Sequence, residues 1–135
     1  MGVHLAVTKN GVEIAAVETR TEDDFMYFRD SVCALLEHND FGSRFPVFQK
    51  KFFSDWEAGE IAALEQELSE MHAAMGGLPP RPADGNWWSN LKRSEGKPET
   101  SAEVFIDKDD APLVARLLTL ARLARENGVG IQWSQ

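Results

Sequence analysis

The groups able to move protons, attack a substrate or hold a metal are three histidines, His4, His38 and His72, one cysteine, Cys33, and 22 acidic side chains. A zinc hydrolase motif places two histidines one helical turn apart. Here the three are scattered, and none has a second histidine nearby. Phosphate-binding glycines lie between a strand and a helix, whereas Gly76-Gly77 follows a helical run and reads as its stop signal. No Gly-x-Ser-x-Gly elbow occurs. Cys33 lies on the flank of an apolar stripe and reads as a buried structural thiol rather than a nucleophile. His38 falls in the last turn of a helix, where a cation suits the dipole, and His72 flanks another stripe. The sequence therefore predicts no catalytic, metal or cofactor site. An enzyme would need histidine and carboxylates from distant positions to converge in a polar pocket.

The acids carry more information. With 22 acidic against 14 basic residues the formal charge is −8. Such a surface repels phosphate, which argues against nucleic acid, and it attracts basic partners. Asp23, Tyr27, Asp30 and Glu37 fall on one face of a first helix. Glu65, Glu67 and Glu70 lie outside the apolar stripe of a second. From Ser54 to His72 there are six acids and no Lys or Arg. A charged helix face commonly serves solvation; the functional reading is a docking surface for a basic protein. Trp87 and Trp88 join the candidates, since one indole is expected to pack inward and the other to anchor a partner.

The elements that would position these residues are legible in outline. A length of 135 residues fits one domain, 1–135. The single cysteine excludes an internal disulfide and suits a reducing compartment. The N-terminus shows no signal-peptide pattern, and no apolar run approaches a membrane span. The expected location is the cytoplasm, with no membrane partner.

Val3, Leu5 and Val7 alternate with polar or small residues, as do Val12, Ile14 and Ala16, and Asn10-Gly11 between them is a type I′ hairpin signal. A plain two-residue loop sets Lys9 opposite Val12, Val7 opposite Ile14 and Leu5 opposite Ala16, with His4 and Glu13 on the other face. Thr21 followed by Asp24 is an N-cap pattern. Phe25, Phe28, Val32, Leu35 and Leu36 then mark a helix ending near Asn39.

Asn39 to Phe48 is a turn, because Gly42 and Pro46 cannot both sit inside a helix. Its Phe41, Phe45 and Phe48 are expected to plug the core. Ser54 to Glu57 resembles a capping box. Ile61, Leu64, Leu68, Met71 and Met75 define the second helix. Leu78 to Thr100, with Pro79, Pro80, Pro82 and Pro98, reads as a long irregular loop. Glu103 to Ile106 reads as a strand. Asp109 or Asp110 can cap a third helix with Pro112 in its first turn, and Leu113, Val114, Leu117, Leu118, Leu120, Ala121 and Ala124 give that helix a broad apolar arc. Val129 to Trp133 reads as a last strand. The expected fold is α+β: a small mixed sheet with an N-terminal β-hairpin and a parallel, right-handed C-terminal βαβ unit, packed by about three helices.

A helix, then Phe41-Gly42-Ser43-Arg44-Phe45-Pro46, then an acidic helix, a Trp-containing loop and a strand, helix and strand resembles the immunity protein 70 family. The likeness runs from about Phe25 to Trp133. It implies a non-enzymatic protein without cofactors that neutralises a bacterial toxin domain of a polymorphic or contact-dependent growth inhibition system, a nuclease being one such activity. A regulatory or adaptor domain unrelated to toxins would show the same composition.

Overall fold

The computed structural model describes residues 2–50, 54–80 and 99–134. The chain opens with β1 (His4–Lys9) and β2 (Val12–Glu18), joined at Asn10 (φ 54°) and Gly11 (φ 79°). Both turn residues have positive φ, as a type I′ turn requires. The register starts as expected, with Lys9 opposite Val12 and Thr8 opposite Glu13. It then shifts, so that Val7 pairs with Ala15 and Leu5 with Val17. Ile14 is the extra residue of a β-bulge. One inserted residue flips the side-chain alternation beyond it. The expected pairs Val7–Ile14 and Leu5–Ala16 are therefore replaced, and Val12 and Ile14 face outward at 62% and 45% exposure.

Helix α1 (Glu22–Leu36) is capped by Thr21, whose hydroxyl accepts the Asp24 N–H at 3.1 Å. It buries Phe25, Phe28 and Val32. It stops at Leu36, short of Asn39, because His38 (φ 52°) and Asn39 (φ 62°) adopt left-handed conformations that no helix continues. The short α2 (Pro46–Lys50) follows. A 3-10 turn (Ala58–Glu60) then leads into α3 (Ile61–Gly76). The capping box at this entry is Glu57 with Glu60, one turn later than Ser54 with Glu57: Glu60 accepts the Glu57 N–H at 2.9 Å. Ile61, Leu64, Leu68, Met71 and Met75 are all buried, as the periodicity predicts.

The expected strand at Glu103–Ile106 is instead a short helix, α4 (Ser101–Val104), followed by a single antiparallel bridge from Ile106 to Pro112. Ala102, Val104, Phe105 and Ile106 are all buried. A short run buried all round has no periodicity to separate strand from helix. Ser101 anchors α4, its N–H donating to Leu78 O at 3.1 Å and its hydroxyl to Pro79 O at 2.6 Å.

The loop after α4 is organised by buried Asp107, which accepts the N–H groups of Asp109 (2.9 Å) and Ala111 (3.0 Å) and lies 3.3 Å from Arg116. Neither Asp109 nor Asp110 caps the next helix. Pro112 takes the N-cap position, and Asp110 pairs with Arg20. Helix α5 (Leu113–Asn127) packs on α3 and on the hairpin. All seven residues of its apolar arc are buried, and Gly128 (φ 66°) closes it with a left-handed cap.

The final strand, β3 (Gln132–Ser134), runs antiparallel beside β1, giving the order β2-β1-β3. The sheet of the described residues is thus antiparallel rather than mixed, and the parallel βαβ unit is absent from them. The α+β class stands.

Candidate partner-binding surface

The turn from Glu37 to Phe48 carries the most specific local sequence, and two acids hold it. Pro46 has no N–H, so it splits the donors around it into two pairs. Before it, Arg44 N–H (3.0 Å) and Phe45 N–H (2.9 Å) donate to Glu37 Oε2. After it, Val47 N–H (3.1 Å) and Phe48 N–H (2.9 Å) donate to Glu67. These are the free amides at the start of α2, where an anion is favoured. Gln49 adds a donor to Glu37 Oε1 at 2.9 Å and another to Arg29 O at 3.0 Å, while the Arg29 guanidinium donates to Gln49 O at 2.5 Å. Phe45 and Phe48 fill the core beneath, and Trp56 stacks on Phe48 with its indole N–H on Val47 O at 3.0 Å.

Three of the acids expected on an outer face are engaged by the fold. Glu37 is 1% exposed, because the chain reverses over it beyond the end of α1. Glu67 is half-buried under α2. Burial raises its pKa above the usual carboxylate value, against the pull of its two backbone hydrogen bonds. Glu65 is paired with Arg125 and lies 3.5 Å from Arg122, both on α5. Asp23, Asp30 and Glu70 are exposed. Tyr27 is half-buried, with its ring 5.6 Å from that of Phe105. Trp87 and Trp88 lie outside the described residues.

Phe41 also departs from expectation. It is 51% exposed rather than a core plug, with the buried Arg29 guanidinium 5.8 Å from its ring centroid. Sequence reasoning missed the structural role of Glu37 and Glu67. The available signal was the row of amides around Pro46, with Phe45 rather than Ser, Thr, Asp or Asn in the position before it.

Among the described residues, no group of three His, Cys, Asp or Glu side chains is placed to hold a metal ion. Burial, then the nearby charges of Glu37, Asp30 and Asp40, raise the pKa of the Cys33 thiol, which disfavours the reactive thiolate. His38 and His72 are exposed. No helix among the described residues is long and apolar enough to cross a membrane.

Fold and surface together define a small α+β domain whose buried polar groups serve its own turns and whose exterior is acidic. The chain belongs to the immunity protein 70 family, whose sequence model matches residues 11–132, nearly the whole chain. No curated protein and no solved structure matches it.

Proposed function

We propose that this protein binds a cognate bacterial toxin domain in the cytoplasm of the cell that makes both, and blocks it. The observation that carries this reading is the match to the immunity protein 70 family over residues 11–132. The C-terminal domain of a polymorphic or contact-dependent inhibition toxin is the natural partner. The formal charge of −8 supports a toxin with a cationic surface, such as the phosphate-binding cleft of a nuclease. Contact falls to the exposed acids Asp23, Asp30 and Glu70, to Tyr27, and to Trp87 and Trp88. We leave Glu37, Glu65 and Glu67 out of this set, because Glu37 and Glu67 accept backbone N–H groups and Glu65 pairs with Arg125 at the surface. No catalysis by the chain itself is invoked.

The test is calorimetry against the toxin domain encoded beside its gene, with growth rescue of cells expressing that toxin. A Kd in the nanomolar range or below, about −12 kcal/mol, together with rescue, is the expected result. No binding and no rescue would overturn the reading in favour of a regulatory or adaptor domain.

A further inference from the structure

We infer that Phe41 is the apolar anchor of the toxin-binding surface, seated in a pocket of the toxin domain whose rim is basic; this rests on the immunity reading above. Three large apolar side chains are exposed among the described residues, and Phe41 is the one aromatic. Aromatic anchors ringed by polar contacts dominate binding energy.

The turn bearing it is tied by its own hydrogen bonds. Asn39 N–H donates to Cys33 O (3.1 Å), Asp40 N–H to Glu37 O (2.9 Å) and Ser43 N–H to Asp40 O (3.0 Å), while Arg44 and Phe45 are tied to the Glu37 carboxylate. His38 and Asn39 are non-glycine residues at positive φ, with Gly42 (φ 81°) close behind. Strain of this kind persists only where surrounding structure imposes it, and it gathers at functional positions. Here it carries the chain over Glu37 and leaves the ring of Phe41 half in solvent. A pre-ordered anchor loses little entropy on binding.

The rim is acidic. Asp40 precedes Phe41, and Asp30 follows the arginine whose guanidinium lies 5.8 Å from the ring; both are exposed. Arg44, an exposed cation of the turn, lies over the Phe45 ring at 5.2 Å. An apolar pocket edged by Lys or Arg is the complement.

The experiment compares wild type, Phe41→Ala, Asp40→Lys and Ile14→Ser, using the toxin domain encoded beside the gene as probe, with a melting curve for each variant. Phe41→Ala is expected to raise Kd by about 30-fold or more and to lose rescue while melting like the wild type. Asp40→Lys is expected to slow association and flatten its salt dependence. Binding of Phe41→Ala within about threefold of a tightly binding wild type would overturn the anchor and leave the immunity reading standing. Loss of binding in Ile14→Ser alone would move the surface to the β2 edge and likewise overturn it. Failure of the wild type itself to bind would sink both.

Discussion

Glu37 Oε2 lies 2.9 Å from the backbone nitrogen of Phe45, the residue just before Pro46. A carboxylate at the end of one helix therefore caps the approach to the next. The proline interrupts the donor row, and Glu67, reaching in from α3, takes the two amides on the far side. The Phe-Gly-Ser-Arg-Phe-Pro turn is thus defined as much by two acids outside it as by its own residues.

Glu37→Ala leaves the amides of Arg44 and Phe45 without their acceptor and takes one of two acceptors from the side-chain amide of Gln49. Each unsatisfied group costs about 1–3 kcal/mol, with sub-additive sums, so a loss of at least about 3 kcal/mol in urea denaturation is expected. Glu37→Gln keeps the shape and one acceptor oxygen and should lose less. A loss under about 1 kcal/mol for the alanine variant would show that the turn stands without the carboxylate.

Glu67→Ala removes the cap of α2 and should cost about 1–2 kcal/mol, within the range of lost N-caps. Glu67→Gln separates charge from shape. Since burial raises the Glu67 pKa, the folded state holds this proton more tightly than the unfolded chain does. That contribution is full below the ordinary value of 4.5 and is lost as pH rises through the folded value. Glu67→Gln should therefore gain on wild type from acid toward neutral pH. A constant difference across that range would refute the assigned burial.

Much of this was readable beforehand, for physical reasons that also set its limits. Helices α3 and α5 repeat apolar residues over four turns, and a long period is hard to mimic by chance. Asn10-Gly11 gave the hairpin its tip, but nothing local announces that Ile14 is skipped in the pairing. Ala102, Val104, Phe105 and Ile106 are all buried, so the pattern could not distinguish helix from strand. On the surface, residue type misled. Glu37, Glu65 and Glu67 read as solvated acids because their partners lie elsewhere in the chain. Glu67 serves amides about twenty positions away, and Glu65 meets arginines on α5.

Two glycines should respond in opposite senses. A Cβ on Gly130 would sit 2.2 Å from Trp56 O, across the bridge that pairs Trp56 with Ile131. Gly130→Ala must separate those backbones and should cost about 2 kcal/mol or more. At Gly76, the last residue of α3, a Cβ meets nothing within 4 Å. Gly76→Ala should be neutral or stabilise by up to about 1 kcal/mol through reduced unfolded-state entropy. Thermal melting of the pair decides; equal effects would contradict the close approach at Gly130.

Glu65 and Glu70 share a helix but not a role. Glu65→Lys sets a third cation against Arg122 and Arg125 and should lower the melting temperature. Glu70→Lys, exposed in the hollow it shares with Arg44, Gln66 and Ala63, should change it little. Toxin binding lost in Glu65→Lys would then need a folding control before it is read as a contact. Equal melting of both variants would show the α3–α5 pairing to be energetically idle.

His4 couples the sheet to pH. Its Nε2 lies 2.8 Å from Glu13 Oε1 and its Nδ1 2.8 Å from Glu18 Oε1. A neutral imidazole carries one N–H and can donate to one of these carboxylates, whereas the imidazolium donates to both. The hydrogen bond to Glu13, then that to Glu18, raises the His4 pKa against a smaller desolvation effect. The bond to His4 correspondingly lowers that of Glu18, with Lys108 assisting at 3.5 Å. A raised histidine pKa contributes stability that is fully present below the ordinary value of 6.5 and is lost as pH rises through the folded value. The depressed Glu18 pKa sets the other limit, its share lapsing as pH falls through that lowered value. The stability difference between wild type and His4→Gln should therefore be largest in mildly acidic solution and shrink toward alkaline pH. Urea denaturation of both proteins at about pH 6 and about pH 9 measures it, and a difference that stays level or grows with pH would show that the two carboxylates do not hold the imidazolium.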